Sequence, residues 1–338
     1  METLNSAIVG CGAIYANHAD AVINSKKAKL AAVCDIDKKK LAAAADKYKS
    51  KGYDDYTELL KDDNIQVIHI CTPHYLHAPM AIEAMRKGKH VLTEKPMAIS
   101  VEEAEKMINV SNETGMKLGV CFQNRYNTTS MKIYELLKTG NAGKIKGAKG
   151  WMTWYRDEEY YKGSNWRGTW EKEGGGVLIN QSIHTLDLLN WFIGDIASLR
   201  ANVDTRMLEG IIEVEDTADA LLKTKDGTSA LFYATNCYCI NSPVEIEIIC
   251  EKAVIRLSDS LIIKYNDGRK EEILNINKAS GEKAYWGLSH SLLIEDFYDS
   301  ILENREFLVN GYEGIKTIKI IKAIYESSKS KRFVETGL

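Results

Sequence analysis

Two rhythms of apolar and polar positions run along the chain. In residues 1–121, short continuous apolar runs alternate with longer segments whose apolar residues recur at helical spacing. The runs at 6–9, 28–34, 65–71, 89–93 and 117–121 are rich in Val, Ile, Leu and Ala, as strands covered on both faces are. The segments at 13–25, 37–49, 76–87 and 100–114 are helical in pattern, and the Ala- and Lys-rich stretch 37–49 has strong intrinsic helix preference. Ser100 followed by Glu103 forms a capping box at the start of the fourth helix. Strand and helix in strict alternation predict a doubly wound parallel sheet.

Beyond residue 122 the pattern changes. A helix is expected at 127–138. Residues 144–155 alternate toward Trp151, Trp154 and Tyr155, a polar and aromatic loop runs to about 173, and a helix follows from about 176 to 192. Short alternating strands then come at about 196–205, 216–224, 229–238, 243–250, 253–257 and 260–265, with Asp226-Gly227 and Asn266-Asp267-Gly268 as hairpin turns. Helices at about 288–303 and 312–327 close the chain. The fold class is α/β: residues 1–121 form the parallel domain, and residues 122–338 form a second α/β domain with a large, open, mostly antiparallel sheet. An open sheet face calls for covering, so a homodimer or homotetramer is expected.

Composition narrows the function. Lys plus Arg number 44 against 47 Asp plus Glu, so there is no basic field of the kind a nucleic-acid partner needs. No apolar stretch is long enough to cross a membrane, and the first residues lack the charged and apolar regions of a secretion signal. The cysteine count, 7, is odd, and most cysteines sit in apolar strand-like runs, which fits free thiols in a reducing, cytoplasmic compartment. Cys237 and Cys239 have the wrong spacing for a metal pair, and no metal site is expected.

Gly10-Cys11-Gly12-Ala13-Ile14 follows a strand and opens a helix, and Asp35 closes the next strand. This is the layout of a dinucleotide fingerprint: glycines for the tight turn and the approach of pyrophosphate, free N–H groups at the helix start, and an acid for the ribose hydroxyls. Tyr15 occupies the third glycine's position. The charge of Asp35 favours NAD over NADP; its other reading is a helix N-cap. Pro73 and Pro96 each lie just beyond a strand, at the sheet edge where such folds bind ligands, and Lys95 is pinned between Glu94 and Pro96. Lys95 is either a proton-relaying amine or a turn lysine. Asn180, His184 and Asp187 recur at i, i+4 and i+7, so one helix face is expected to carry all three, with a core histidine as the competing reading of His184.

Gly10–Ile14, Cys71-Thr72-Pro73-His74-Tyr75-Leu76-His77, Glu94-Lys95-Pro96 and the run from Gly174 to His184 together resemble the glucose–fructose oxidoreductase, inositol dehydrogenase and rhizopine catabolism family. The resemblance implies a Rossmann domain, an open-sheet domain, and nicotinamide-dependent chemistry on a sugar, cyclitol or nucleotide-sugar. It carries the roles of an amine beside the nicotinamide to Lys95 and of proton transfer to His184. It also implies cofactor contacts at Gly10, Gly12, Ala13, Ile14, Asp35, Thr72, Pro73, His74, His77, Glu94, Lys95 and Gln123. Trp166 and Arg167 are implied at both cofactor and substrate. Asn180 stands where the family often has an aspartate, which shifts proton work to His184 and Lys95 and is similar to a branch acting on nucleotide-sugars and anhydrofructose. Arg125 and His290 are further substrate candidates, Arg125 with a structural ion pair as its other reading. Two other functions suit the same fold: a glycosidase that oxidises its substrate transiently, and a dinucleotide-sensing regulator, which needs neither Lys95 nor His184.

Overall fold

The computed structural model describes residues 3–274 and 289–338. The first part of the chain runs β1 (Leu4–Val9), α1 (Tyr15–Asn24), β2 (Ala28–Cys34), α2 (Lys38–Tyr48), β3 (Lys51–Tyr53), α3 (Tyr56–Leu60), β4 (Val67–Ile70), α4 (His74–Arg86), β5 (His90–Thr93), α5 (Val101–Thr114) and β6 (Leu118–Val120). The second runs α6 (Thr128–Lys138), β7 (Ile145–Thr153), α7 (Glu158–Lys162), α8 (Ile183–Ile193), β8 (Ile196–Asp204), β9 (Thr217–Thr224), β10 (Ser229–Thr235), β11 (Glu245–Cys250), β12 (Ala253–Leu257), β13 (Ser260–Tyr265) and β14 (Lys270–Leu274). Then come α9 (His290–Leu302), α10 (Gly311–Ser330) and β15 (Val334–Glu335). No helix of the described residues is long and apolar enough to cross a membrane.

The chain divides into two compact units, one of residues 1–123 with 289–315 and the other of residues 124–288 with 316–338. The change of rhythm near 122 therefore falls within two residues of the first crossing. Two contiguous domains were expected, and the return of 289–315 to the N-terminal unit departs from that. Its reason is burial: Leu293, Ile294, Phe297 and Tyr298 on α9 are fully covered, and α9 lies along α1. Residue 288, the expected start of that helix, lies outside the described residues.

In the N-terminal unit six parallel strands take the order β3-β2-β1-β4-β5-β6. Strand order reverses between β1 and β4, which is where such sheets hold ligands at their carboxyl ends. Gly10 follows the end of β1 and Cys71-Thr72 follow the end of β4, so the glycine turn sits at that reversal. The Ser100 half of the capping box forms as expected, Ser100 Oγ accepting from Glu103 N at 3.1 Å, while the Glu103 carboxylate reaches one residue further back, to Ile99 N at 3.3 Å.

Among the described residues the second unit holds nine strands in the order β14-β13-β12-β11-β7-β10-β9-β8-β15, antiparallel except for the parallel pair β7 and β10. Buried and exposed residues alternate along β9 and β10, and α8 packs on β7 and β11. The other face carries Leu221 opposite Leu231, with Tyr233 and Ile249 nearby, all exposed. β14 escaped the sequence pattern because Lys-Glu-Glu-Ile-Leu is an edge strand with little burial.

Candidate active site

At the nucleotide edge the glycine turn is built by close backbone approach. Gly10 has φ of +95°, and a Cβ there would lie 2.7 Å from the Cys71 carbonyl oxygen, so only glycine fits. A Cβ at the exposed Gly12 would meet nothing within 4 Å. Ile14 precedes α1 without any side-chain cap, and its first turn holds no acid. By contrast Asp37 caps α2 through Lys39 N and Lys40 N, and Asp55 caps α3. An uncapped helix start beside an open glycine leaves N–H groups for an anion, which fits the pyrophosphate of a dinucleotide.

Asp35 is thus not the N-cap; Asp37 is. The Asp35 carboxylate instead accepts from Cys11 N at 2.7 Å and from Asp37 N at 2.8 Å. It fastens the glycine turn to the end of β2 and stands half-buried where a ribose is expected. Thr72 and Pro73 form the tip after β4, and His74 opens α4. His77 is buried, its ring wedged between the carbonyls of Pro96 at 2.6 Å and Thr72 at 2.8 Å. It ties the two proline loops together rather than presenting itself at the surface. Gln123, also buried, lies in the short 3-10 turn 123–126.

Lys95 is half-buried and followed by a cis peptide to Pro96. Its neighbour Glu94 points inward. His18 Nε2 donates to Glu94 Oε1 at 2.9 Å, His290 Nε2 lies 3.6 Å from the same oxygen, and Lys95 N donates to Glu94 Oε2 at 3.2 Å. Burial alone would raise the Glu94 pKa, but the hydrogen bonds from His18 and His290 hold it well below the usual carboxylate range. Burial pushes His18 and His69 the other way and keeps them neutral. The tautomers follow. His18 donates through Nε2 to the carboxylate, so its Nδ1 accepts from His69 Nδ1 at 2.9 Å. His69 Nε2 then accepts from Tyr298 Oη at 2.9 Å, which in turn accepts from Ser6 Oγ at 3.0 Å. Donor atoms of His18, Glu94, Cys121 and His290 lie within 4.8 Å of one another. The His18–Glu94 hydrogen bond joins two of these groups, and burial pushes the Cys121 thiol well above its usual range. His290, expected at substrate, is buried in the N-terminal unit against Glu94 and His18.

Trp166, Arg167, Asn180 and His184 all belong to the second unit and are half-buried. The helix expected from 176 starts only at Ile183. Three consecutive glycines disfavour helix, and the Glu215 carboxylate takes Gly176 N at 3.1 Å and Leu178 N at 2.9 Å, holding 174–182 as turns. Asn180 therefore does not share a helix face with His184 and Asp187. His184 sits in the first turn of α8. Asp187 is buried with Arg125, whose Nε and Nη2 reach its two oxygens at 2.9 and 2.6 Å. Arg125 thus makes the structural ion pair that was its other reading.

Two buried carboxylates were not singled out in the sequence. Glu173 takes Gly168 N and Asn180 Nδ2, both at 2.5 Å, and Glu215 also takes Tyr325 Oη at 2.8 Å. Burial raises both to about 7, against the pull of these hydrogen bonds. The one available signal was an acid immediately before a glycine triplet. Arg167 stacks over the Tyr160 ring at 4.4 Å, and Tyr160 Oη lies 3.4 Å from Asn180 Nδ2. Acceptors and donors on one irregular segment, with the His184 imidazole at the start of the helix that follows it, suit a polyhydroxylated ligand.

Residues 4–122 match the model of an oxidoreductase family with an NAD-binding Rossmann fold, and residues 130–256 match the GFO/IDH/MocA C-terminal domain. D-apiose dehydrogenase of Rhizobium rhizogenes is 25% identical, over 100% of this chain and 99% of its own. Inositol 2-dehydrogenase of Rubrobacter xylanophilus is 30% identical, over 57% of this chain and 53% of its own. The WlbA dehydrogenase of Bordetella pertussis, solved with NADH and UDP-GlcNAcA, is 28% identical with a TM-score of 0.84, covering 99% of both chains.

Proposed function

Because the chain belongs to the GFO/IDH/MocA family of NAD-binding oxidoreductases, we propose that it moves a hydride between NAD and a hydroxyl-bearing carbon of a sugar, cyclitol or nucleotide-sugar. The observation that carries this reading is the uncapped start of α1 beside open Gly12, with Asp35 at the adjoining strand end. NAD, when bound, supplies the hydride acceptor. In the oxidative direction the imidazole of His184 takes the hydroxyl proton, and the Lys95 ammonium polarises the substrate oxygen. Glu94 fixes the backbone amide of Lys95, so the amine is carried on a loop anchored in the core. Asn180 and Arg167 hold other hydroxyls of the substrate, and Trp166 walls it. The acceptors around Asn180, and the ligands named for the relatives above, support a polyol.

Cofactor choice rests on Asp35. Asp35→Asn retains an acceptor for Cys11 N but removes the charge that repels a 2′-phosphate. It is expected to shift preference toward NADP by about tenfold or more, since like charges brought together cost several kcal/mol. Titration of both cofactors reads this directly, and an unchanged ratio removes Asp35 from the ribose site.

The exposed Leu221, Leu231, Tyr233 and Ile249 support assembly through the outer sheet face. Light scattering of the purified protein is expected to give a dimer or tetramer that Leu231→Asp weakens. A monomeric wild type refutes the assembly.

A further inference from the structure

We infer that Glu173 is a positioning residue for Asn180: it dictates which end of the amide meets the substrate, turning the carbonyl oxygen outward to accept from a substrate hydroxyl. The inference rests on the dehydrogenase reading above, with Asn180 as a substrate contact, and deepens it.

The argument starts from what each group can do. A side-chain amide has a donor end and an acceptor end, and an ionised carboxylate only accepts. Glu173 is 1% exposed and fixed from two sides. Its Oε2 takes Gly168 N at 2.5 Å, and its Oε1 lies 2.5 Å from the amide of Asn180. Two oxygens facing each other at that distance repel, so the NH2 end of Asn180 faces Glu173. Tyr160 Oη, at 3.4 Å, lies on the same side. The amide is planar, so fixing Nδ2 fixes Oδ1 on the side away from the carboxylate. Asn180 is half-buried while Glu173 lies beneath it. An outward carbonyl suits a ligand that brings O–H donors, which is the alcohol form of the substrate. An outward NH2 suits a ligand that brings only acceptors.

Glu173→Gln tests this with no change of shape. The substituted side chain keeps an oxygen for Gly168 N but turns its own NH2 toward Asn180. The two NH2 groups conflict, and Asn180 rotates its amide, placing a donor where the acceptor stood. Adding Asn180→Asp restores an outward acceptor, because one oxygen of the new carboxylate takes the NH2 introduced by Glu173→Gln and the other faces out. Assays belong at about pH 8, above the value near 7 to which burial raises Glu173.

A panel of free sugars, inositols and nucleotide-sugars with NAD provides the probes. For any that wild type oxidises, Glu173→Gln is expected to raise KM about 10–100-fold, the effect of leaving a buried polar group mismatched. NAD affinity and melting temperature should hold, and the double variant should recover most of the loss. An unchanged KM in Glu173→Gln, or a double variant no better than the single, overturns the inference. A second readout needs no turnover. By nitrogen-15 NMR, the side-chain amide protons of Asn180 should exchange slowly in wild type and faster in Glu173→Gln. Equal exchange in both refutes the positioning role whatever the reaction. The expected difference, together with no NAD reduction on the whole panel, upholds the positioning and sinks the dehydrogenase reading instead.

Discussion

Alanine in place of His184 is expected to cut turnover about 10²–10⁴-fold, the usual contribution of a well-placed general base. Imidazole is the side chain suited to gain and lose a proton near neutral pH. His184 stands half-buried in the first turn of α8, a helix whose remaining face is packed against β7 and β11. That packing fixes the backbone that carries the ring, so truncation removes the proton acceptor and leaves the scaffold. NAD affinity, set in the other unit, should stay within about twofold. Added imidazole should restore part of the rate, as a diffusing base replaces a missing one. Undiminished turnover in His184→Ala would refute the assignment; a rate loss that imidazole does not rescue, with NAD affinity lost in parallel, would reassign His184 to structure.

Two glycines give the second large effect by contrast. Gly176→Ala places a methyl 1.9 Å from the backbone oxygen of Glu215, and neither partner is a flexible side-chain end. The loop that carries Asn180 is tied to Glu215 through Gly176 N, Val177 N and Leu178 N, so it has nowhere to retreat. A loss of more than about 3 kcal/mol is expected, a large share of the 5–15 kcal/mol that holds a typical domain. Gly12→Ala adds the same methyl in open space, with no positive φ to oppose it. Its melting temperature should match wild type. NAD affinity, however, should fall about 5–150-fold, since overfilling a close contact costs roughly 1–3 kcal/mol. Thermal melts and NAD titration of both variants check the pair. A stable Gly176→Ala contradicts the loop's anchoring, and normal NAD binding by Gly12→Ala removes the turn from the cofactor site.

Much of this was legible in sequence wherever the cause is local. The strand at 28–34 is bounded as expected, because its apolar run begins and ends abruptly. The parallel sheet followed from alternation alone, and the open antiparallel sheet from period-two burial and its turns. The sheet-edge motifs were found because glycine and proline mark special backbone wherever they fall. What stayed hidden depends on partners far along the chain. Nothing local says that α9 returns to the first unit, or that His18 and His69 hydrogen-bond into a chain that runs through Tyr298 to Ser6. The helix start at Ile183, not 176, is decided by Glu215, a residue on a different segment. Asp187 and Asn180 shared a period but not a helix for the same reason. Glu173 has only its place before the glycine triplet to mark it, and an acid in such a polar run reads as solvated until its burial is seen.

The central claim is that this chain carries hydride between NAD and a polyhydroxylated substrate. The most direct measurement is the reduced-nicotinamide absorbance of the purified protein with NAD and the panel of sugars, inositols and nucleotide-sugars. The account predicts a steady rise with at least one member, abolished by Lys95→Ala and by His184→Ala together. A flat trace across the panel, in protein shown by titration to bind NAD, would contradict it.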